Sequence, residues 1–125
     1  MILDTNALSA FVDGDDAVGS ILAVQTRVCV PVIALGEFRY GIAHSRHREA
    51  YDAWLHAHLA GFDILPVTEA TAAAYASIRV ALRRNGTPIP ANDAWIGAIA
   101  VEHRLPVLSR DAHFDAIPEV ERRAW

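Results

Sequence analysis

Apolar and polar positions alternate along this chain in short blocks, and the blocks change period as they go. Met1-Ile2-Leu3 is a brief apolar run that reads as a buried strand, closed by the polar turn Asp4-Thr5-Asn6. Thr5 or Asn6 is the expected cap of a helix over residues 7–12. A second helix is predicted over residues 15–25, with Val18, Ile21 and Leu22 on one side. Val28-Cys29-Val30 is the next strand, ended by Pro31. Residues 32–45 carry Leu35, Phe38 and Ile42 at helical spacing. Residues 46–60 predict another amphipathic helix, with Tyr51, Trp54, Leu55 and Leu59 inward and Gly61 as its stop. A third strand is expected over residues 62–65. Thr68 opens a long helix with Glu69 in its first turn, and Asn85-Gly86 closes it. After the loop of Pro88 and Pro90 come a helix over residues 92–103, a strand at Pro106-Val107-Leu108, and a short edge strand within residues 120–125.

Strands that alternate with helices predict an α/β fold of one domain, residues 1–125, with a mostly parallel sheet of four to five short strands. Strands of Val, Ile and Leu fit a sheet covered by helices on both faces, a three-layer α/β/α arrangement. Ligands of such sheets bind beyond the C-terminal strand ends, where strand order reverses. The polar residues at those ends therefore carry the functional argument.

Composition narrows the classes. Hydrophobic residues make up 53% and charged residues 21%, which supports a packed core and excludes a disordered chain. No apolar run approaches a membrane span, and the N-terminus lacks the pattern of a signal peptide, so a cytoplasmic protein is expected. Cys29 is alone and builds neither an internal disulfide nor a cysteine zinc site. All 11 basic residues are Arg. Without Lys there is no GxxxxGK[ST] phosphate loop and no Schiff-base chemistry. The formal charge of −4 speaks against non-specific nucleic-acid binding, unless several acids are gathered on a cation.

Asp4 directly follows the first strand, and Asp111 lies just past the strand ending near Leu108. Glu37 falls in the helix after the second strand, and Asp93 in the first turn of the helix after the proline loop. If the first and fourth strands are neighbours, these four carboxylates converge on one crevice. Glu37 is followed at i+4 by Gly41, and Asp93 by Gly97. The two glycines either leave room beside the acids or permit close helix packing. Four carboxylates brought together repel one another and take up protons unless a cation joins them. An all-oxygen site suits Mg²⁺ or Mn²⁺.

Four local words, in order, resemble the acidic motifs of PIN-domain ribonucleases: Ile2-Leu3-Asp4-Thr5-Asn6, Glu37-Phe38-Arg39-Tyr40-Gly41, Asn92-Asp93-Ala94-Trp95-Ile96 and Leu108-Ser109-Arg110-Asp111-Ala112-His113-Phe114. Their separations match as well, and the likeness covers essentially the whole chain. The short single-domain form is similar to the VapC-type toxins of toxin–antitoxin pairs. The resemblance implies a Mg²⁺- or Mn²⁺-dependent endoribonuclease in which Asp4, Glu37, Asp93 and Asp111 hold the metal. It gives Thr5, Asn6, Asn92 and Ser109 supporting or water-positioning roles. It further implies attack of metal-activated water on phosphorus, leaving a 5′-phosphate and a 3′-hydroxyl. A cognate antitoxin is the implied protein partner; the high apolar content of so small a chain fits a homodimer and an antitoxin groove, with the C-terminal Trp125 a candidate for the dimer surface. An antitoxin arginine entering the acidic pocket would block metal binding.

The remaining residues sort around that expectation. A metal-free ribonuclease would use paired histidines; of the six here, only His113 lies close to a motif acid. Arg110, beside Asp111, is expected to reach a scissile phosphate. Arg46 and Arg48 with His47, and Arg79 with Arg83, are basic clusters for an RNA backbone or for solvent. Tyr40, Trp54, Tyr75, Trp95 and Phe114 stack on bases or pack; Trp54 and Trp95 are assigned to packing. Asp115 is either a fifth acid of the pocket or a surface residue of the last loop. The alternatives are a metal-dependent phosphatase, which wants an acid where Asn6 stands, a receiver domain, whose lysine has no candidate, and a non-catalytic binding module, against which all four acids count.

Overall fold

The computed structural model describes all 125 residues. Its elements in chain order are β1 (Ile2–Leu3), α1 (Thr5–Val12), α2 (Asp16–Ala23), β2 (Cys29–Pro31), α3 (Val32–Ile42), α4 (Arg48–His58), β3 (Asp63–Leu65), α5 (Glu69–Asn85), α6 (Ala91–His103), β4 (Val107–Leu108) and β5 (Arg122–Arg123). Single 3₁₀ turns lie at Leu59–Gly61 and Ala112–Ala116. The sheet runs β3-β2-β1-β4-β5 and every pairing is parallel. From β1 the chain builds outward through β2 to β3, then returns to the other side for β4 and β5. Strand order therefore reverses between β1 and β4, and the crevice expected of such sheets opens there.

Successive strand residues face opposite sides of a sheet. Ile2 and Leu3, and likewise Val107 and Leu108, are fully buried, so helices cover both faces of the central strands. The edges differ in character: β3 exposes Asp63 and Ile64, and β5 is a pair of arginines. Charged residues on an edge discourage pairing with another chain. Helix α6 is the central helix, with Ala94, Ile96, Gly97, Ala98, Ile99 and Ala100 all buried. Its Trp95 stacks on Tyr75 of α5 at 3.8 Å. Trp54 of α4 packs against Phe11 and Phe62 with ring centroids 5.7 and 6.2 Å away, so both tryptophans are packing residues. No helix is long and apolar enough to cross a membrane.

The expected elements are present, with shifts at their ends. Helix α5 begins and ends as read: Thr68 and Thr71 form a capping box, and Gly86 terminates the helix in the left-handed region at φ 65°. Helix α1 starts earlier than expected. Asp4, not Thr5 or Asn6, is its cap, because the Asp4 carbonyl already accepts from the Leu8 amide at 2.9 Å. Helix α2 begins behind Asp15, whose carboxylate accepts from the amides of Ala17 and Val18. The 3₁₀ turn after Asp111 was not legible from periodicity, since it is a single turn.

Candidate active site

Asp4 stands where β1 ends and α1 begins, at the switch point of the sheet. The Asp4 amide donates to the Leu108 carbonyl at 3.2 Å, which ties this junction to β4. Its side chain is only 4% exposed. One carboxylate oxygen accepts from the Thr5 amide at 2.7 Å. The other accepts from the Ser109 hydroxyl at 2.7 Å and the Asn6 amide group at 3.1 Å. Asn6 also donates to Ser109 at 3.2 Å and accepts the Arg110 amide at 3.3 Å. The first and last motif words are thus sewn together by side chains.

Glu37 joins from α3. Ala34, Phe38 and Ile42 bury one face of that helix and leave Glu37 half-buried at its margin. The Thr5 hydroxyl donates to Glu37 at 3.0 Å, so the residue after Asp4 orients a second acid. Asp93 arrives from the first turn of α6, whose N-terminus favours negative charge. Asp111 caps the 3₁₀ turn and accepts from the His113 amide at 2.9 Å, while its own amide donates to Ser109 at 2.9 Å. That turn folds the His113 ring back over the acids: Nδ1 lies 2.7 Å from Asp93 and 3.0 Å from Asp111.

The electrostatics bind the four acids into one system. Burial pushes the Asp4 carboxyl up to about 6; Ser109 and the Thr5 amide oppose the shift, and the charges of Asp93 and Glu37 add to it. Burial likewise raises Asp93, against the hydrogen bond from His113, with Asp111 and Glu37 adding to the rise. His113 is raised chiefly by its hydrogen bond to Asp93, with Asp111 contributing. Asp93, Asp111 and His113 each offer a ligand atom, and the three lie within 4.8 Å of one another. Acids gathered in this way beside a single imidazole lack positive charge. A mostly carboxylate donor set fits a hard divalent ion.

Asn92 is exposed and lines an open surface hollow with Thr5, Glu37 and Tyr40. The Arg110 guanidinium, expected near a phosphate, is instead turned to Asp15 at 3.4 Å and lies over the Trp125 ring at 4.5 Å. Trp125 is half-buried and packs against the core. Asp115 is held by Arg122 through two 2.8 Å hydrogen bonds and is not part of the acid cluster. The two glycines divide. A Cβ on Gly97 would fall 2.4 Å from Ile117 Cδ1, so that glycine serves packing, whereas Gly41 has open space beside it. The sequence reading missed the link of Tyr51 to Asp13, at 2.9 Å, since nothing local relates residues on two different helices.

The PIN domain family model matches residues 1–120. The curated protein Ribonuclease VapC4 of Mycobacterium tuberculosis is 35% identical over 94 residues, 74% of this chain and 72% of that protein. Ribonuclease VapC5 of the same organism is 32% identical over 122 residues, 93% of this chain and 86% of that protein. The crystal structure of VapBC-5 from Mycobacterium tuberculosis, a member of the VapBC family of toxin–antitoxin systems, superposes with a TM-score of 0.76 at 31% identity, covering 99% of this chain and 97% of that one. With its acids gathered at the sheet's switch point and the family match running through almost its entire length, the chain belongs to the PIN domain family.

Proposed function

We propose that this chain, as one domain spanning residues 1–125, is a Mg²⁺- or Mn²⁺-dependent endoribonuclease and the toxin of a toxin–antitoxin pair in the cytoplasm. The observation that carries the reading is the convergence of Asp4, Glu37, Asp93 and Asp111, coupled in charge, at the switch point between β1 and β4. These four acids would hold the ion. When bound, the ion supplies the charge that polarises a phosphodiester and lowers the pKa of water. Ser109 and Asn6 keep Asp4 turned toward the pocket, and Thr5 does the same for Glu37. The expected products are an upstream fragment ending in a 3′-hydroxyl and a downstream fragment beginning with a 5′-phosphate.

The likeness to two VapC ribonucleases and to a VapBC structure supports an RNA substrate and an antitoxin partner. A homodimer is part of the same proposal. The test is incubation of the purified protein with total RNA, with Mn²⁺, with Mg²⁺ and with excess EDTA, followed by end-mapping. Discrete cuts that require the ion and vanish in Asp93→Asn support the reading. Cutting that persists in EDTA, or in the variant, overturns it.

A further inference from the structure

Beside the acid cluster, a cleft of about 320 Å³ runs between α1, α3 and the start of α4. Thr5 and Glu37 line it together with Ser9, Ser45, Asp13 and Tyr51. The buried side chains of Phe38 and Ile42 add apolar lining. Gly41 stands on the wall with nothing within 4 Å of where its Cβ would be, which keeps the passage open. Asp13 ends α1, just before Gly14 turns the chain at φ 82°. The Tyr51 hydroxyl donates to one Asp13 oxygen at 2.9 Å, and the Tyr51 ring packs edge-on against Phe38 at 6.0 Å.

The chemistry of this cleft is selective. It contains hydroxyls and two carboxylates, and no Arg or His lines it. Such a surface repels phosphate and accepts hydrogen bonds. Its size is at the lower end of ligand pockets, room for one base-sized group. Asp13 is an oriented carboxylate, and a carboxylate pairs best with two parallel N–H donors. Among RNA bases, guanine alone presents two adjacent donors, N1–H and the N2 amine, on one edge. Adenine and cytosine present one amine beside an acceptor nitrogen, and uracil one N–H between two carbonyls.

We propose that this cleft is the base-reading subsite of the enzyme, that it takes a guanine next to the scissile phosphate, and that Asp13, oriented by Tyr51, is the residue that reads it. This rests on the endoribonuclease reading above, because Glu37 links the cleft to the reacting phosphate.

The test uses the full-length protein and short single-stranded RNAs that differ at one position. Mapped cuts in a randomised pool should be enriched about five-fold or more for guanine at one fixed position. Replacing that guanine by inosine, which lacks the N2 amine, should lower kcat/KM about ten-fold in the wild type and leave Asp13→Asn indifferent. Tyr51→Phe keeps the ring packing and should lose part of the preference. Gly41→Val should obstruct the cleft and raise KM for guanine substrates. RNA cut without guanine preference, or a preference unaltered in Asp13→Asn, overturns the subsite while the endoribonuclease reading stands. If no RNA is cut with either ion, that reading fails. The subsite is then judged by fluorescence anisotropy of guanine- against uracil-containing oligonucleotides, where equal affinities overturn it. An Asp13→Asn effect confined to the complex with a basic protein partner also overturns it.

Discussion

Nδ1 of His113 lies 2.7 Å from a carboxylate oxygen of Asp93, and the same nitrogen is 3.0 Å from Asp111. One imidazole thus bridges two acids that would otherwise repel. A histidine whose folded pKa is raised contributes stability fully below its unfolded value near 6.5, and loses it as pH rises through the raised value. His113→Ala should therefore lower the melting temperature in EDTA at pH 6, by no more than about 4 °C because the ring is well exposed. The deficit should shrink at pH 9 and in Mn²⁺, which supplies the missing charge. Differential scanning fluorimetry in the four conditions checks it; an equal deficit in all four would assign His113 to packing alone.

Asp4 works the other way. Its carboxyl is pushed up to about 6, so its ionisation opposes folding in the absence of a cation. Relative to an ordinary carboxylate at 3.8, the rise corresponds to about 3 kcal/mol lost between those two pH values. Asp4→Asn removes that cost but disturbs the hydrogen bonds with Ser109 and Asn6. The expected net gain in EDTA at pH 8 is about 1–2 kcal/mol, with no gain at pH 3.5, where Asp4 is already neutral. Cleavage should fall by more than about a hundred-fold. Urea titrations at both pH values and a cleavage assay on one RNA provide the measurement. A variant less stable than wild type at pH 8 would contradict the electrostatic account.

Particular residues explain how far the sequence could be read. Asp4 and Asp111 were legible because each ends a short apolar strand, and the sheet order puts β1 beside β4. Glu37 and Asp93 followed from their places in helices that start at the same edge of the sheet, and the PIN-like words around them point the same way. The direction of the Arg110 side chain does not follow from adjacency, since a neighbour of Asp111 in sequence need not share its direction. What decided its direction were Asp15, 95 residues away, and Trp125 at the far end of the chain. Asp4 both caps α1 and belongs to the acid cluster. The free amides of a helix start favour a carboxylate, so the two roles are compatible. The Asp13–Tyr51 pair joins residues 38 positions apart on two helices, and no local pattern announces it.

The docking of Arg110 onto Trp125 and Asp15 yields a separate expectation. Both partners of the ion pair are reached by solvent, so Arg110→Ala should cost no more than about 1 kcal/mol. Trp125→Ala also removes a half-buried ring from the core margin and should cost about 2–3 kcal/mol. Denaturant unfolding of both variants and of the double variant checks this. The coupling between them should be below about 1 kcal/mol. RNA cleavage by Arg110→Ala should stay within about three-fold of wild type in kcat/KM, equivalent to under about 1 kcal/mol. A hundred-fold loss would instead mean that the guanidinium leaves Asp15 to meet the substrate.

Two glycines at the same offset from two acids should respond in opposite directions. In a helix interior, Gly→Ala favours folding by about 1 kcal/mol when nothing obstructs the methyl group. Gly41 has open space but lies in the last turn of α3, so Gly41→Ala should gain less, about 0.5 kcal/mol. At Gly97 the new methyl would fall 2.4 Å from Ile117 Cδ1, and Ile117 is itself fully buried. Overpacking of that kind costs about 1–3 kcal/mol, which offsets the helix gain and leaves Gly97→Ala net destabilising by up to about 2 kcal/mol. Ile117→Val removes the clashing atom. The combination Gly97→Ala with Ile117→Val should therefore be more stable than Gly97→Ala alone, although Ile117→Val by itself destabilises by about 1 kcal/mol. Melting temperatures of the four proteins decide the point. If Ile117→Val deepens the defect of Gly97→Ala, the contact between α6 and the segment carrying Ile117 does not set the need for glycine at position 97.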